Sequence, residues 1–521
     1  MIAKVYSCAV LGIEGFPVEV EVDISDGLPA FDLIGLPDPS VREARERVRS
    51  AIKNSGYEFP LSRITVNLAP ADIKKEGPAF DMAIAVGILI ASEQLSLSNV
   101  NLQMMLVGEL SLDGNLRGIP GGLAIASSLL EQGYEHFQLF VPEVNAKEAS
   151  LIKNIQVRGI NTLSEMVSFI KGEVDIPATE PDLDFMLYNC SEIADMKDIK
   201  GQENAKRALE MAAAGAHNVI FYGPPGTGKT MLAKRLPSIL PEPSLEEKLE
   251  ITRIHSVAGH LSPEIPLLTT RPFRNPHHSS STAGIIGGGK IPRPGEVSLA
   301  HRGVLFLDEL PEFNRELLET LRQPLEDRVV TITRSAATLQ FPADFIFASS
   351  LNPCPCGNYG DPRHACRCSH SQIQRYRSRL SGPLLDRIDI QIEVPRLDYN
   401  ELETDTPSED SATIRERVKK ARQIQKERFG VQNRQSQNGN PPTLTNSEMS
   451  PTQVKEFCPL NSEARALARQ AFDRLGMSMR AYDRILKVSR TIADLDGCED
   501  IETRHLAEAI QYRNLDRELF R

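Results

Sequence analysis

Segment 223–230, which reads GPPGTGKT, contains the residues that are best suited to binding a ligand. Its glycines let the backbone curl so that successive N–H groups point at a phosphate. Lys229 can reach β- and γ-phosphates, and the Thr230 hydroxyl can bind Mg²⁺. The segment predicts an ATP and Mg²⁺ site made of Gly223, Pro224, Pro225, Gly226, Thr227, Gly228, Lys229 and Thr230.

The flanking sequence supplies the elements that this loop needs. An apolar run, VIFY, precedes it and a helical pattern, MLAKRLPSIL, follows it. Strand, loop and helix come in the order of a P-loop, and the helix dipole adds positive potential at the phosphates. The segment GIIGGGKI at 284–291 also has the G-x-x-x-x-G-K spacing of a P-loop. It has no hydroxyl after its lysine and no apolar strand before it, so we predict a mobile glycine loop there.

Two later apolar runs end in polar side chains. Segment 303–309, GVLFLDE, predicts a buried strand after which Asp308 holds Mg²⁺ and Glu309 polarises the attacking water. The alternative is a strand that ends in surface acids. Segment 345–352, FIFASSLN, places Asn352 where it would hold the water or the γ-phosphate, with an Asn-Pro turn as the alternative.

Arginines near the ends of two further segments are candidates for stabilising transferred phosphate charge. Arg387 resembles the arginine finger of helix-2-insert AAA+ ATPases, which a neighbouring subunit supplies, and ring assembly would then be a condition for activity. A salt bridge with Asp386 or Asp389 is the alternative, and Arg379 is the reserve candidate. Arg480 begins an amphipathic helix and resembles the sensor 2 arginine of such ATPases; a solvated arginine is its alternative.

Four of the eight cysteines lie within residues 354–368. The spacing is C-x-C, nine residues, C-x-C, and four thiolates can complete a tetrahedral zinc site. Loose thiols or a redox pair are the alternatives, and His364 and His370 could substitute as ligands. The predicted zinc ligands are Cys354, Cys356, Cys366 and Cys368.

Composition sets limits on the partners. A net charge of −11 argues against a generally basic surface, so nucleic acid must bind at local patches. The glycine-rich segment 271–293 and the hairpin-like segment 329–341 provide candidates that touch phosphates without reading bases. These are Lys290, Arg293 and Arg334, with ordinary surface loops as the alternative.

A chain of 521 residues predicts about three domains. We place them at 1–171, 193–395 and 396–521, with a linker at 172–192, a Cys-rich insertion at 354–368 and a flexible loop at 431–446. The N-terminus shows no signal-peptide pattern and the longest apolar run is too short to span a membrane, which predicts a cytoplasmic protein with no membrane partner.

The first unit resembles the proteolytic domain of Lon-type proteases. The resemblance lies in KKEGPAFDMAIA and GELSLDGNLRGIPGGLAIA. Ala79 stands where that family has its nucleophilic serine, and Ala124 where it has its lysine base. Alanine provides neither group, so the resemblance implies the fold without the peptidase chemistry.

Nearly the whole chain resembles the YifB/ComM family of magnesium-chelatase-like AAA+ ATPases. RNPHHSSSTAGIIGGG, GVLFLDELPEFNRELLETLRQPLED, NPCPCG and RAYDRILKVSRTIADL carry the resemblance. It implies an α/β multidomain fold: an N-terminal Lon-protease-like (ribosomal S5 domain 2-like) α+β domain, a central AAA+ P-loop α/β domain and a C-terminal helical lid.

The family resemblance also implies a function. The expectation is a homo-hexameric ATPase that translocates on single-stranded or branched DNA without sequence specificity and drives branch migration during natural transformation. Two alternatives stay open. One is a chelatase-type motor, which the Lon-like unit disfavours, and the other is a protein-remodelling or protease-regulating scaffold.

Overall fold

The computed structural model describes residues 2–38, 41, 43–75, 77–96, 103–181, 194–289, 292–333, 338–361, 363–396, 408–433 and 443–513. Within these ranges, no helix combines the length and the apolar character needed to cross a bilayer.

A seven-stranded mixed sheet organises the first part of the chain. Its order is β3-β4-β2-β1-β5-β8-β9; β2 pairs antiparallel with β1 and β4, and the other neighbours are parallel. The strands, with the hairpin β6–β7, are β1 (Ile2–Leu11), β2 (Glu14–Ser25), β3 (Ala30–Ile34), β4 (Arg63–Ala69), β5 (Met104–Leu106), β6 (Glu109–Leu110), β7 (Leu116–Arg117), β8 (Gln138–Pro142) and β9 (Gln156–Ile160).

Five helices accompany this sheet. They are α1 (Ala44–Asn54), α2 (Asp81–Ala91), α3 (Gly122–Glu131), α4 (Glu143–Ala149) and α5 (Leu163–Ile170). Every residue of α2 is buried, including Asp81 at its start. Arg47 donates to both carboxylate oxygens of Asp81, at 2.6 and 3.1 Å, which satisfies this buried charge.

A five-stranded parallel sheet forms the centre of the chain, in the order β11-β14-β17-β10-β18. All residues of β10, β14 and β17 are buried, as expected for strands covered on both faces. Small hairpins β12–β13 and β15–β16 accompany it, and the second confirms the hairpin predicted at 329–341. The strands are β10 (Val219–Tyr222), β11 (Phe273–Arg274), β12 (Gly287–Gly288), β13 (Arg293–Pro294), β14 (Val304–Leu307), β15 (Val329–Thr333), β16 (Thr338–Pro342), β17 (Ile346–Leu351) and β18 (Ile390–Glu393).

Along the chain, helices precede or follow the strands of this second sheet. They are α6 (Glu203–Gly215), α7 (Lys229–Ile239), α8 (Leu245–Ala258), α9 (Thr282–Ile286), α10 (Glu296–Leu299), α11 (Arg315–Thr320), α12 (Arg322–Asp327), α13 (His370–Arg377) and α14 (Gly382–Leu385). Helix α9 occupies part of the glycine-rich segment predicted to be mobile. The prediction is wrong there, because Ile285 is fully buried and fixes the segment to the core.

The last part of the described chain is helical: α15 (Ser411–Asn433), α16 (Pro451–Phe457), α17 (Ser462–Leu475), α18 (Met479–Leu495) and α19 (Thr503–Gln511). A buried polar network joins α18 to the amino edge of the central sheet. The ring nitrogens of His217 lie 3.2 Å from Asp389 Oδ2 and 2.8 Å from Thr491 Oγ1, and Arg484 pairs with Asp389. Burial opposes ionisation of Asp389, but Arg484 and His217 outweigh it and hold the pKa of this carboxyl well below its usual range.

Helix α8 connects the central sheet to the first unit. Arg253 donates to the carbonyl of Ile13 at 2.7 Å and to Ser128 at 3.3 Å. Ser256 donates to Glu148 Oε2 at 2.7 Å, and Asn145 donates to the other oxygen at 2.6 Å. Burial raises the pKa of Glu148, while the hydrogen bonds from Ser256 and Asn145 act in the opposite direction.

The structure corrects the predicted boundaries of two connecting segments. Residues 172–181 begin the predicted linker, yet Ile176 is buried in the first core and the Thr179 amide donates to Val157. The predicted flexible loop at 431–446 is helical through Asn433 and ends on buried Asn446, which donates to Thr491 and Asp494. These contacts hold residues 176–179 of the first segment and Asn446 of the second in place. Residues 182–192 and 434–442 lie outside the described parts.

Candidate functional site

Three neighbouring strands bring the predicted phosphate site together. The order β14-β17-β10 places Asp308, Asn352 and Gly223, which follow those strands, at one carboxyl edge of the parallel sheet. Ligands of open α/β sheets bind at such edges. The residues predicted to be Walker A (223–230), Walker B (Asp308 and Glu309) and sensor 1 (Asn352) are therefore brought together as a direct result of strand order.

The backbone of the P-loop requires glycine at two positions. Gly226 and Gly228 have φ of +79° and +88°, in the left-handed region, and a Cβ at either would meet no atom within 4 Å. The glycines are thus required by conformation, and the space over the loop is open. Helix α7 begins at Lys229, so its amino end faces that space, as predicted.

The Lys229 ammonium rests inside the loop. Its Nζ donates to the carbonyls of Gly223 and Pro224, at 2.6 and 2.8 Å, and to Asn352 Oδ1 at 3.0 Å. Burial lowers the pKa of Lys229 to about 8, against the opposing charges of Asp308 and Glu309. Lys229 is therefore a partly desolvated cation that a phosphate would restore to its fully charged form.

The residues expected to hold Mg²⁺ are in direct contact. Thr230 Oγ1 donates to Asp308 Oδ2 at 2.7 Å, and Ser350 donates to Asp308 Oδ1. A hydroxyl beside a carboxylate fits Mg²⁺, which takes oxygen ligands and is usually held by one or two carboxylates, phosphate oxygens and water. These residues could hold the ion, which would neutralise phosphate charge.

Glu309 is held in an unusual backbone conformation. Its φ is +52°, and its amide donates to Ser350 Oγ at 2.9 Å and to Asp308 Oδ1 at 3.1 Å. Its carboxylate accepts from Asn352 Nδ2 at 3.5 Å. The turn directs Glu309 toward Asn352, the arrangement needed for a group that orients water beside the γ-phosphate.

Ser350 is a residue that the sequence reasoning missed. It touches both Walker B acids and stands two residues before Asn352 on β17. Side chains alternate along a strand, so the positions of Ser350 and Asn352 share one face. That spacing was the available signal.

The two predicted phosphate-stabilising arginines lie at the opposite edge of the sheet. The Arg387 carbonyl accepts from Asn218, which precedes β10, whereas Gly223 follows β10. The five residue steps from Asn218 to Gly223 span about 17 Å, more than an arginine side chain reaches. Arg387 instead donates to the Pro383 carbonyl at 2.8 Å and pairs with Glu326, and not with Asp386 or Asp389.

Arg480 accompanies Arg387. It is exposed in the first turn of α18, one turn before Arg484. The hydrogen bond from Arg387 lowers the pKa of Glu326, and the charges of Arg480 and Arg484 add to this. Contact of Arg480 with the phosphates of its own chain is excluded by this placement, because α18 packs against the amino edge.

The reserve candidate, Arg379, has a different position. It donates to the carbonyl of Pro311 at 3.0 Å and to Glu312 at 3.1 Å. Both follow Walker B closely, so Arg379 lies on the P-loop side of the sheet.

One of the three predicted DNA contacts can be located. Arg293 is exposed on β13 and lines a cavity of about 350 Å³, between α8 and the first unit, whose wall includes Glu148. Lys290 and Arg334 lie outside the described residues. The described part of the chain therefore leaves the predicted DNA surface untested.

The four clustered cysteines converge. The Sγ atoms of Cys354, Cys356 and Cys366 are 3.4 to 3.6 Å apart, and those of all four, with Cys368, lie within 4.8 Å of one another. Four thiolates bound to zinc at 2.3 Å would be roughly 3.8 Å apart, so the set fits that ion. The Arg367 and Asn358 amides lower the pKa of Cys356 to about 6, whereas burial and the neighbouring thiols raise the pKa of Cys366 and of Cys368.

The two alanines at the protease-like positions are packed as core residues. Ala124 is fully buried in α3, and Ala79 packs against the neighbouring cluster. Neither position carries a nucleophile or a base.

Comparisons with known proteins agree with this architecture. Residues 195–402 match a family model described as "Magnesium chelatase, subunit ChlI", residues 20–145 match "Subunit ChlI of Mg-chelatase", and residues 408–513 match "Magnesium chelatase, subunit ChlI C-terminal". The fold and site thus define a magnesium-chelatase-like AAA+ protein, a class whose membership implies ATPase activity.

The full-length relatives are more specific. The chain is 45% identical to the Competence protein ComM of Haemophilus influenzae, over 99% of this chain and 98% of the relative. It is 43% identical to YifB of Escherichia coli, over 98% and 97%. The chain belongs to the YifB/ComM family of magnesium-chelatase-like proteins.

The pKa of Lys229 predicts a pH-dependent nucleotide affinity. Phosphate binds the charged ammonium, whereas the free site loses this proton as pH rises through about 8. Binding must then take up a proton, so the Kd for MgADP should rise about tenfold between pH 7 and 9. Titration calorimetry across this range measures it.

Lys229→Arg is the matched control, because a guanidinium keeps its charge throughout. Whatever the affinity of Lys229→Arg for MgADP, its Kd should not change with pH above pH 7. An equally flat wild-type profile would contradict the prediction.

Proposed function

We propose that this protein is an ATP-driven, homo-hexameric DNA motor that acts as a helicase in branch migration during natural transformation. The observation that carries the proposal is similarity over nearly its whole length to a competence protein. The joined Walker A, Walker B and sensor 1 groups support the motor, because hydrolysis needs all of them.

In this mechanism the chain supplies positioning and charge. The P-loop amides and Lys229 bind the phosphates of ATP, while Thr230 and Asp308 would hold Mg²⁺, which would neutralise developing negative charge. Glu309 accepts a proton from water, or orients it, and Asn352 fixes the Glu309 carboxylate. These roles follow from hydrogen bonds between residues at one sheet edge.

The placement of the arginines supports ring assembly. Arg387 and Arg480 lie at the amino edge of the sheet, too far from Lys229 of the same chain to serve its phosphates. We propose that each subunit presents these arginines to the nucleotide of its neighbour. Glu326 holds Arg387 until that neighbour's phosphates compete for it.

DNA would enter through local basic contacts, because the chain as a whole carries a charge of −11. Lys290, Arg293 and Arg334 remain our candidates for binding single-stranded or branched DNA by its phosphates. Contacts of this kind carry no base sequence, which suits a motor that must pass any DNA.

We propose zinc as the ion of the four cysteines, and a Lon-type fold without peptidase chemistry for the first unit. Support for the fold comes from 35% identity over 144 residues to Lon protease 2 of Bacillus subtilis, which spans 26% of this chain and 25% of that protein. The domain limits 1–171, 193–395 and 396–521 belong to this proposal.

Chelatase-type and protein-remodelling motors are the competing functions. The first unit does not count against a chelatase, since residues 20–145 match a family model that carries the chelatase name. Response to DNA distinguishes the DNA motor from both of these alternatives.

DNA should stimulate ATP hydrolysis. We expect single-stranded or branched DNA to raise the rate and ATP to drive displacement of a labelled strand, with both effects lost in Lys229→Ala. Lys234→Ala, on the exposed face of the same helix, is the control and should behave as wild type. A chain that fails to bind DNA even at low salt would be a protein-remodelling or chelatase-type motor.

Mixed subunits test the trans arginines. Arg387→Ala and Lys229→Ala should each lose about 10³-fold or more in hydrolysis rate, and mixing them should restore part of it. Recovery is expected because an intact P-loop site then receives Arg387 from its neighbour. Lys229→Ala mixed with Asp308→Asn, two defects of one site, should recover nothing. An Arg387→Ala protein of normal activity would refute the role.

Metal content tests the cysteine site. Zinc should copurify with the wild type and be lost in Cys354→Ser, because three thiolates hold the ion less tightly. Cys498→Ser, which changes a thiol on the far helical part, should retain it. Equal zinc in wild type and Cys354→Ser would exclude the site.

A further inference from the structure

The cysteine-bearing segment packs directly on the P-loop. We call its described residues, 354–361 and 363–368, the knuckle. Gly357 has φ of +80°, and a Cβ built on it would lie 2.4 Å from Pro225 Cδ and 2.9 Å from Pro225 Cγ. Ordinary contact begins near 3.4 Å, so Gly357 is pressed against the nucleotide-binding loop with no space for a methyl group.

The knuckle also begins at the site itself. Cys354 follows Asn352 by two residues, and Asn352 contacts Lys229 at 3.0 Å and Glu309 at 3.5 Å. The Cys354 side chain is fully buried, so this end of the knuckle is anchored in the protein. Two separate contacts therefore join the cysteine cluster to the phosphate site.

Next to the Gly357 contact, the two segments are apart. A cavity of about 690 Å³ is lined by Gly223 and Pro224 of the P-loop and by Tyr359 and Gly360 of the knuckle. A Cβ on Gly360, which has φ of +81°, would meet nothing within 4 Å. The knuckle therefore contacts the P-loop closely at Gly357 and not at Gly360.

We propose that the metal-closed knuckle braces the P-loop, so that metal bound by the four cysteines raises nucleotide affinity through the Gly357–Pro225 contact. The inference rests on the proposed metal site and assigns it a task. Four metal–thiolate bonds fix the position of Gly357, and Pro225 in turn cannot move away from its phosphate-binding conformation. Without the metal, the knuckle can yield and the loop loses this support.

Two glycine substitutions test the brace. Gly357→Ala and Gly360→Ala impose the same left-handed backbone strain in one segment, but only the first creates a collision. With zinc content equal to wild type, Gly357→Ala should bind MgADP about tenfold more weakly by calorimetry, and Gly360→Ala as wild type. The KM for ATP should rise with it, while kcat at saturating ATP stays within about twofold.

A rescue removes the question of folding. Pro225→Ala deletes the Cδ and Cγ atoms that the new methyl group would strike. Pro225→Ala alone also removes the brace and should weaken MgADP binding, but adding Gly357→Ala to it should cost less affinity than Gly357→Ala costs in the wild type, a non-additive result that general strain at residue 357 would not give. An effect of Gly357→Ala that is equally large in both backgrounds would overturn the contact as the cause.

The metal itself provides the reciprocal measurement. Removing zinc from wild type should weaken MgADP binding about tenfold, and saturating MgADP should tighten zinc by the same factor in chelator competition. In metal-free protein the difference between Gly357→Ala and wild type should shrink, since the knuckle can then yield.

The failures are distinguishable. Wild-type protein without metal would refute the site and the brace together. Metal present, with MgADP affinity unchanged by its removal or by Gly357→Ala, would refute only the brace. Equal loss in Gly357→Ala and Gly360→Ala would also refute it, as general strain.

Discussion

The carboxylate of Asp308 is the interaction on which the nucleotide site depends. It accepts from Thr230 at the start of α7 and from Ser350 on β17, and the Glu309 amide closes the turn on the same oxygen as Ser350. One side chain thus joins the elements that follow three neighbouring strands. Since these strands are buried on both faces, their spacing is fixed and the polar groups at their ends keep one arrangement.

The central sheet separates two tasks along its strands. Its carboxyl edge holds the groups that bind and activate, and its amino edge holds Arg387 and the network of His217, Asp389 and Arg484. Helix α18 is attached to the amino edge through Arg484 and Thr491, so Arg480 lies on that side of the sheet. The proposed supply of arginines from a neighbouring subunit would complete a site that is divided in this way.

Two further parts contact the central unit. Helix α8 presents Arg253 and Ser256 to the first unit, where Ser256 donates to the buried Glu148. The knuckle meets Pro225 of the P-loop through Gly357, with no space for a methyl group between them.

The sequence alone determined what depends on local pattern. GPPGTGKT behind an apolar run, and two apolar strands ending in Asp308-Glu309 and Asn352, were enough to predict the P-loop sheet and its chemical groups. Family resemblance rested on long motifs of the same local kind. The spacing of the four cysteines was also enough to predict a metal site, because such sites need particular ligands at short spacing.

Only the tertiary structure decided matters that depend on distant residues meeting. It showed that Arg387 pairs with Glu326, that Ser350 serves both Walker B acids, and that Arg480 lies far from the P-loop of its own chain. It also showed defined contacts in parts of segments 172–181 and 431–446, where composition predicted linker and loop. Hydrogen bonds between residues distant in the chain, such as Ser256 to Glu148, 108 residues apart, or Asn446 to Thr491, 45 residues apart, leave no periodic trace in a sequence, because neither partner's neighbours differ from those of an ordinary surface residue.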